Sequence, residues 1–228
     1  RLGADHGIPF GVLTFEPHPR SLFQPDDPPF RLSPFHSKSI QIEKLGADFL
    51  VVVPFDRAFA SMSAEDFVRD VLVKSLGVRQ VVVGYDFVFG RGRTGNHELL
   101  ERMSNDSGYH LTIVAGVVHG DPAEGGEIYA SSRIREYLRA GKPRPAADRL
   151  GRWWEISGLV LPGDQRGRHM GFPTANIALN DYLEPVLGVY AVRIAIGDEK
   201  IETWYGGVAN VGHRPTFDGK HTLLEVHI

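Results

Sequence analysis

Gly141-Lys142-Pro143-Arg144-Pro145 decides the fold, because the character of the chain changes across it. Prolines fix φ and remove backbone donors, so this stretch ends the helix before it and reads as a linker or domain edge. On its N-terminal side, strand and helix signals alternate. Phe10-Gly11-Val12-Leu13-Thr14-Phe15, Phe49-Leu50-Val51-Val52-Val53, Gln80-Val81-Val82-Val83 and Leu111-Thr112-Ile113-Val114 are near-continuous apolar runs. That is the pattern of parallel strands covered by helices on both faces. Between them, Ser63-Ala64-Glu65-Asp66 resembles a capping box, followed by Phe67, Val71 and Leu72 on one face and a stop at Gly77. Further helices are expected over 37–45, 96–103 and 131–140. The alternation predicts a doubly wound α/β domain. On the C-terminal side, 154–161, 188–196, 202–211 and 222–228 read as strands, with turns at Gly163, Gly197-Asp198 and Asp218-Gly219. These predict a small antiparallel sheet or barrel. Two domains follow, 1–148 and 149–228.

Composition narrows the function. With 228 residues, 42% hydrophobic and 23% charged, the chain has the make-up of a soluble globular protein. A net charge of -3 argues against a broadly basic nucleic-acid binder, while leaving room for a local anion site. No apolar run is long enough to span a membrane. There are no cysteines, which excludes disulfides, thiolate-bound zinc and thiol catalysis, and fits a reducing cytoplasm. The ten histidines show no zinc-binding spacing.

The densest chemistry lies in Gly163-Asp164-Gln165-Arg166-Gly167-Arg168-His169-Met170-Gly171-Phe172-Pro173-Thr174-Ala175-Asn176. Glycines let a backbone wrap an anion, and arginines add forked donors. The Thr174 hydroxyl and Asn176 amide, two positions apart on extended chain, can face one way and offer neutral oxygens to Mg2+. A nucleotide-phosphate and magnesium site, and a plain glycine-rich hairpin loop, both fit this spacing. Further on, strand alternation puts Leu223, Glu225 and His227 on one face and Leu224, Val226 and Ile228 on the other, apolar one. Glu225 is then either a solvated face residue or a base beside a metal-bound nucleotide.

In the first half, Pro17-His18-Pro19 follows the first strand, where open α/β sheets bind ligands; a stiff surface turn is the alternative. Gly90-Arg91-Gly92-Arg93-Thr94-Gly95 matches G-x-G-x-x-G, yet the acidic residue expected about twenty positions on is absent, so no dinucleotide site is assigned. Phe87 and Phe89 either flank an aromatic ring or pack in the core. Ser131-Ser132-Arg133-Ile134-Arg135 opens a helix whose N–H groups and Arg135 suit a polyphosphate, or is a plain serine cap.

Taken together these segments resemble the bacterial bifunctional riboflavin kinase/FAD synthetase family. The similarity is collinear and covers essentially the whole chain. It runs through Thr14-Phe15-Glu16-Pro17-His18-Pro19, Gly84-Tyr85-Asp86-Phe87-Val88-Phe89-Gly90, Ser131-Ser132-Arg133-Ile134-Arg135, the Gly171-Phe172-Pro173-Thr174-Ala175-Asn176 core, the block 207–217 and Leu224-Glu225-Val226-His227. The resemblance implies a Rossmann-like N-terminal nucleotidyltransferase domain that adenylylates FMN to FAD. Pro17, His18, Pro19 and Asp86 would lie by the flavin, and Ser132 and Arg135 by the ATP phosphates. It implies a C-terminal β-barrel kinase converting riboflavin to FMN. There Gly163, Arg166, Gly167 and Gly171 would wrap ATP, Thr174 and Asn176 would hold Mg2+ and phosphate, and Glu225 would be the general base. Small-molecule substrates, a cytoplasmic location, and neither nucleic acid nor membrane as partner complete the expectation; oligomeric state is left open. The family's Gly-x-Phe-Asp-Gly-x-His-x-Gly-His segment is expected before Arg1, and a helical tail with flavin-binding residues after Ile228, both needed for full competence. Ala130 stands where the family usually has serine.

Overall fold

The structure, a computed structural model, describes residues 3, 7–120, 126–162, 173–197, 203–216 and 219–228. Packing divides the chain into two compact units, Arg1–Asp26 with Ala47–Tyr129, and Asp27–Gly46 with Ala130–Ile228.

In the first unit, β1 (Gly11–Glu16) and β2 (Phe49–Pro54) run parallel from Gly11↔Phe49 to Glu16↔Pro54. Strands β3 (Gln80–Gly84) and β4 (His110–Val114) form a second parallel pair. A short antiparallel pair, β5 (Val118–His119) and β6 (Glu127–Ile128), follows. The apolar runs thus form the expected strands with the expected parallel sense. The continuous doubly wound sheet is not found: β1–β2 and β3–β4 are separate two-stranded ladders among the described residues. Burial agrees, since Val52 is 39%, Val82 47% and Ile113 41% exposed, so these strands are not covered on both faces. Their other side chains, Leu13, Phe15, Val81 and Val83, pack on a core that includes Phe67, Val68 and Leu100.

Local signals set the helix starts. Ser63 accepts a hydrogen bond from the Asp66 N–H at 3.0 Å, and Asn96 one from Leu99 at 3.0 Å, as N-cap side chains do. Ser63 opens a short α-helix (Ala64–Asp66) that widens into a π-helix over Phe67–Ser75 where α-helix was expected. Here Leu76 donates to the Val71 carbonyl and the Ser75 hydroxyl to that of Asp70, an intrusion that loosens the usual ladder. Asn96 opens the helix His97–Ser107, which Gly108 ends in the left-handed region.

The second unit corrects the linker reading. Lys142-Pro143-Arg144-Pro145 is not a connector, because a helix (Pro143–Leu150) begins at Pro143 directly after the helix Ser131–Arg139. Proline is favourable at a first helical position, where its missing N–H has no partner to lose and its φ is already helical. Ala146 of this second helix is fully buried beside Ile134, Leu138 and Leu183. Residues 27–46, read from sequence as part of the first domain, group with this unit. Trp154 donates its indole N–H to the Leu32 carbonyl at 2.8 Å, and the Leu183 N–H reaches Arg31 O at 2.8 Å.

Five strands build the rest: β7 (Val160–Leu161), β8 (Ala175–Ala178), β9 (Gly188–Ile194), β10 (Tyr205–Thr216) and β11 (Gly219–His227), in the order β7-β8-β11-β10-β9. Every pairing is antiparallel. The β-barrel that the family resemblance implies is not met, since β7 and β9 form the two unpaired edges of an open sheet among the described residues. The strand expected over 154–161 is shortened to its last two residues, because Trp154 and Ile156 turn into the core beside Leu179 and Tyr182.

Candidate functional site

The best-defined site lies on the sheet of the second unit. On β11, Leu224 packs against the core and Val226 is 8% exposed, while Glu225 between them points from the opposite face and is half-buried. Strand alternation requires this. Ile228, expected in the core, is 54% exposed because the strand ends at His227. Register then does what sequence could not. Glu225 lies directly opposite Asn176 of β8 on one side and Asn210 of β10 on the other. Directly opposed residues share a face, so the three side chains form one row across three strands. Asn176 is 7% exposed, one of the few buried polar side chains. The Asn210 amide donates to Glu225 Oε2 at 3.5 Å.

Thr174 is exposed and immediately precedes β8. The approach to it is anchored by His227, whose Nδ1 lies 2.8 Å from the Pro173 carbonyl. A carbonyl can only accept, so Nδ1 carries the proton. Gly207 permits β10 to pass close by: a Cβ there would come within 2.3 Å of the His227 carbonyl oxygen. Gly163, Arg166, Gly167 and Gly171 lie outside the described residues. The donors that are described suit a hard cation, with a hydroxyl and an amide oxygen near a carboxylate. No group of three or more His, Asp or Glu side chains forms a metal site among the described residues.

A shallow cleft of about 320 Å³ elsewhere in this unit, lined by Arg139, Glu184 and His213, includes none of Thr174, Asn176 or Glu225. Chemistry and concavity do not coincide here.

The residues expected around the adenylyl-transfer reaction fall in both units. His18 follows a cis Glu16–Pro17 peptide and caps the short helix Pro19–Phe23, its Nδ1 accepting from the Arg20 N–H at 3.1 Å. The capping bond fixes the ring direction, and Pro19 takes the favourable first helical position. Asp86 is exposed on a turn after β3, closed by the Phe87 N–H to the Gly84 carbonyl at 3.1 Å. Phe87 and Phe89 stack on each other with centroids 5.4 Å apart, and Phe89 is 8% exposed in the core. They leave no slot for a ring between them. The glycine loop after them is closed by two hydrogen bonds between Phe89 and Gly95, and it packs on Ala64. Ser132 and Arg135 sit on the helix Ser131–Arg139 of the second unit. Ser132 is not the cap; that position is Ala130, which offers no side-chain bond. Arg135 donates Nε–H to the Phe30 carbonyl at 2.7 Å and its guanidinium lies over the Phe30 ring.

Residues 1–123 match the FAD synthetase family and residues 150–228 the riboflavin kinase family. The proteins named bifunctional riboflavin kinase/FMN adenylyltransferase from Escherichia coli (strain K12), Haemophilus influenzae and Bacillus subtilis are 39%, 37% and 36% identical. The alignments cover 99%, 97% and 95% of this chain and 70%, 69% and 66% of those proteins. The chain belongs to the bifunctional riboflavin kinase/FMN adenylyltransferase family. A solved structure described as a macrolide-efflux protein from Streptococcus pneumoniae is 28% identical with a TM-score of 0.81, covering 100% of this chain and 71% of that one. That description speaks of that protein alone; its likeness to this family member bears on the fold.

Two residues of the site were not assigned a role from sequence, Asn210 and His227. Ala209 and Val211 are 1% and 3% exposed, so the Asn210 between them must face away from the core with Glu225. The apolar-polar-apolar triplet carried that signal, but its neighbour was invisible.

Proposed function

We propose that this protein phosphorylates riboflavin to FMN on residues 149–228 and adenylylates FMN to FAD on residues 1–148, using ATP for both. The observation that carries the kinase half is the row of Asn176, Glu225 and Asn210. It sets a metal-suited amide beside a carboxylate on neighbouring strands. Glu225 takes the proton from the ribityl 5′-hydroxyl as that oxygen attacks the γ-phosphorus of ATP, and ADP departs. A positioned general base of this kind contributes roughly 10²–10⁴-fold. Magnesium, when held by Thr174 and Asn176, neutralises charge on the transferring phosphoryl group. Gly163, Arg166, Gly167 and Gly171 wrap the nucleotide in the same reading.

For FAD formation, the α-phosphorus of ATP is attacked by the FMN phosphate and pyrophosphate leaves. Pro17, His18, Pro19 and Asp86 serve the flavin, and Ser132 and Arg135 the phosphates. A Rossmann-like arrangement of the first half is supported by its two parallel ladders with helices between strands. A cytoplasmic setting is supported by ATP dependence and the absence of cysteine. Among the described residues no helix is long and apolar enough to cross a membrane.

The test uses full-length protein with riboflavin and Mg·ATP, following FMN and FAD by chromatography. Glu225→Gln is expected to lose riboflavin phosphorylation by at least about a hundredfold while FMN supplied directly is still converted to FAD. Retained phosphorylation refutes the base; a comparable loss of FAD formation from FMN supplied directly refutes the division of labour.

A further inference from the structure

We infer that Asn210 is a positioning residue for the kinase reaction, holding the Glu225 carboxylate through one oxygen so that the other faces the nucleophilic hydroxyl. This rests on the reading of Glu225 as general base and adds a partner to it.

Several observations converge on the pair. Asn210 and Glu225 are directly opposed in the β10–β11 ladder, so their side chains leave the sheet on the same face with no intervening residue. The Asn210 Nδ2 donates to Glu225 Oε2 at 3.5 Å, a long bond that leaves Oε1 to other partners. The positions on either side, Ala209 and Val211, are 1% and 3% exposed, so the β10 backbone is packed on the core and Asn210 is kept on the Glu225 face. On its far side Glu225 meets Asn176, another neutral amide. The carboxylate is thus flanked by two uncharged side chains from both adjoining strands. His227, two residues along β11, shares the face and is engaged with the Pro173 carbonyl.

An amide donor orients the anion without a full charge. Directional restraint of one oxygen also removes rotamers in which the base points away from the substrate.

Asn210→Ala and Asn210→Asp in the full-length protein test this by steady-state riboflavin phosphorylation, with FMN adenylylation measured alongside. Asn210→Ala is expected to lower kcat about three- to tenfold with KM for riboflavin within about twofold, the loss of one long hydrogen bond to a charged group. Asn210→Asp, whose carboxylate offers Glu225 Oε2 no donor, is expected to lose kcat at least as much as Asn210→Ala. FAD formation from FMN stays at the wild-type rate in both. Wild-type kcat in both variants overturns the inference, as does a change in KM alone. Glu225→Gln, run in parallel, separates the two failures: an active Glu225→Gln removes the base itself. An inactive Glu225→Gln beside unaltered Asn210 variants removes only the role of Asn210.

Discussion

Ala130 shows how one side chain leaves a mark on stability. It has the extended φ of -137° and ψ of 136° of an N-cap at the start of the helix Ser131–Arg139, yet makes no side-chain cap bond. Ser63, Asp56 and Asn96 each supply such a bond at their own helices. Ala130→Ser is therefore expected to stabilise the protein by about 1 kcal/mol, read as a higher urea midpoint with unchanged slope. No gain would mean that the hydroxyl does not reach the first-turn N–H groups. Neither Ser131 nor Ser132, the serines that the sequence offers as a cap, fills that position, since both lie inside the helix.

Among the elements, the glycine loop after β3 packs so closely on Ala64 that Gly90 and Gly95 leave no room for a side chain. Gly90 has φ +73°, and a Cβ there would lie 2.6 Å from the Ala64 Cα, so both backbone conformation and space exclude a side chain. Gly108, at φ +74°, ends its helix with nothing within 4 Å of the same position. The pair separates strain from crowding. Gly108→Ala is expected to cost about 1 kcal/mol of left-handed strain, and Gly90→Ala about 2–4 kcal/mol once overpacking is added. Chemical denaturation of the two variants measures the difference, and equal losses would show that Ala64 yields freely.

At the scale of the molecule, packing and motif order partition the chain differently. Residues 27–46 group with the unit that carries the sheet, and Arg135 helps fasten them through the Phe30 carbonyl and ring. Phe30 is 6% exposed, so this is an interior contact. Arg135→Ala is expected to remove about 1–2 kcal/mol, lowering the melting temperature by about 2–8 °C. If Arg135 also serves the ATP phosphates, FAD formation measured well below that temperature falls further than FMN formation. Proportional loss of both would leave Arg135 a purely structural contact.

The sequence by itself determined what is local. Apolar runs marked the parallel strands to within a residue or so, Ser63 and Asn96 marked helix starts, and period-two alternation put Glu225 opposite Leu224 and Val226. Motif residues carried the family, because chemistry at a site demands particular side chains at particular spacings. Tertiary structure decided which of those pieces touch. That Asn210 stands beside Glu225 depends on the β10–β11 register, which is fixed by the pairing of whole strands. That Pro143 starts a helix depends on a buried seat for Ala146, and that residues 27–46 join the second unit depends on Arg31, Leu32 and Phe30 finding distant partners. Such contacts are sums over the folded chain, and a linear pattern holds only their local share.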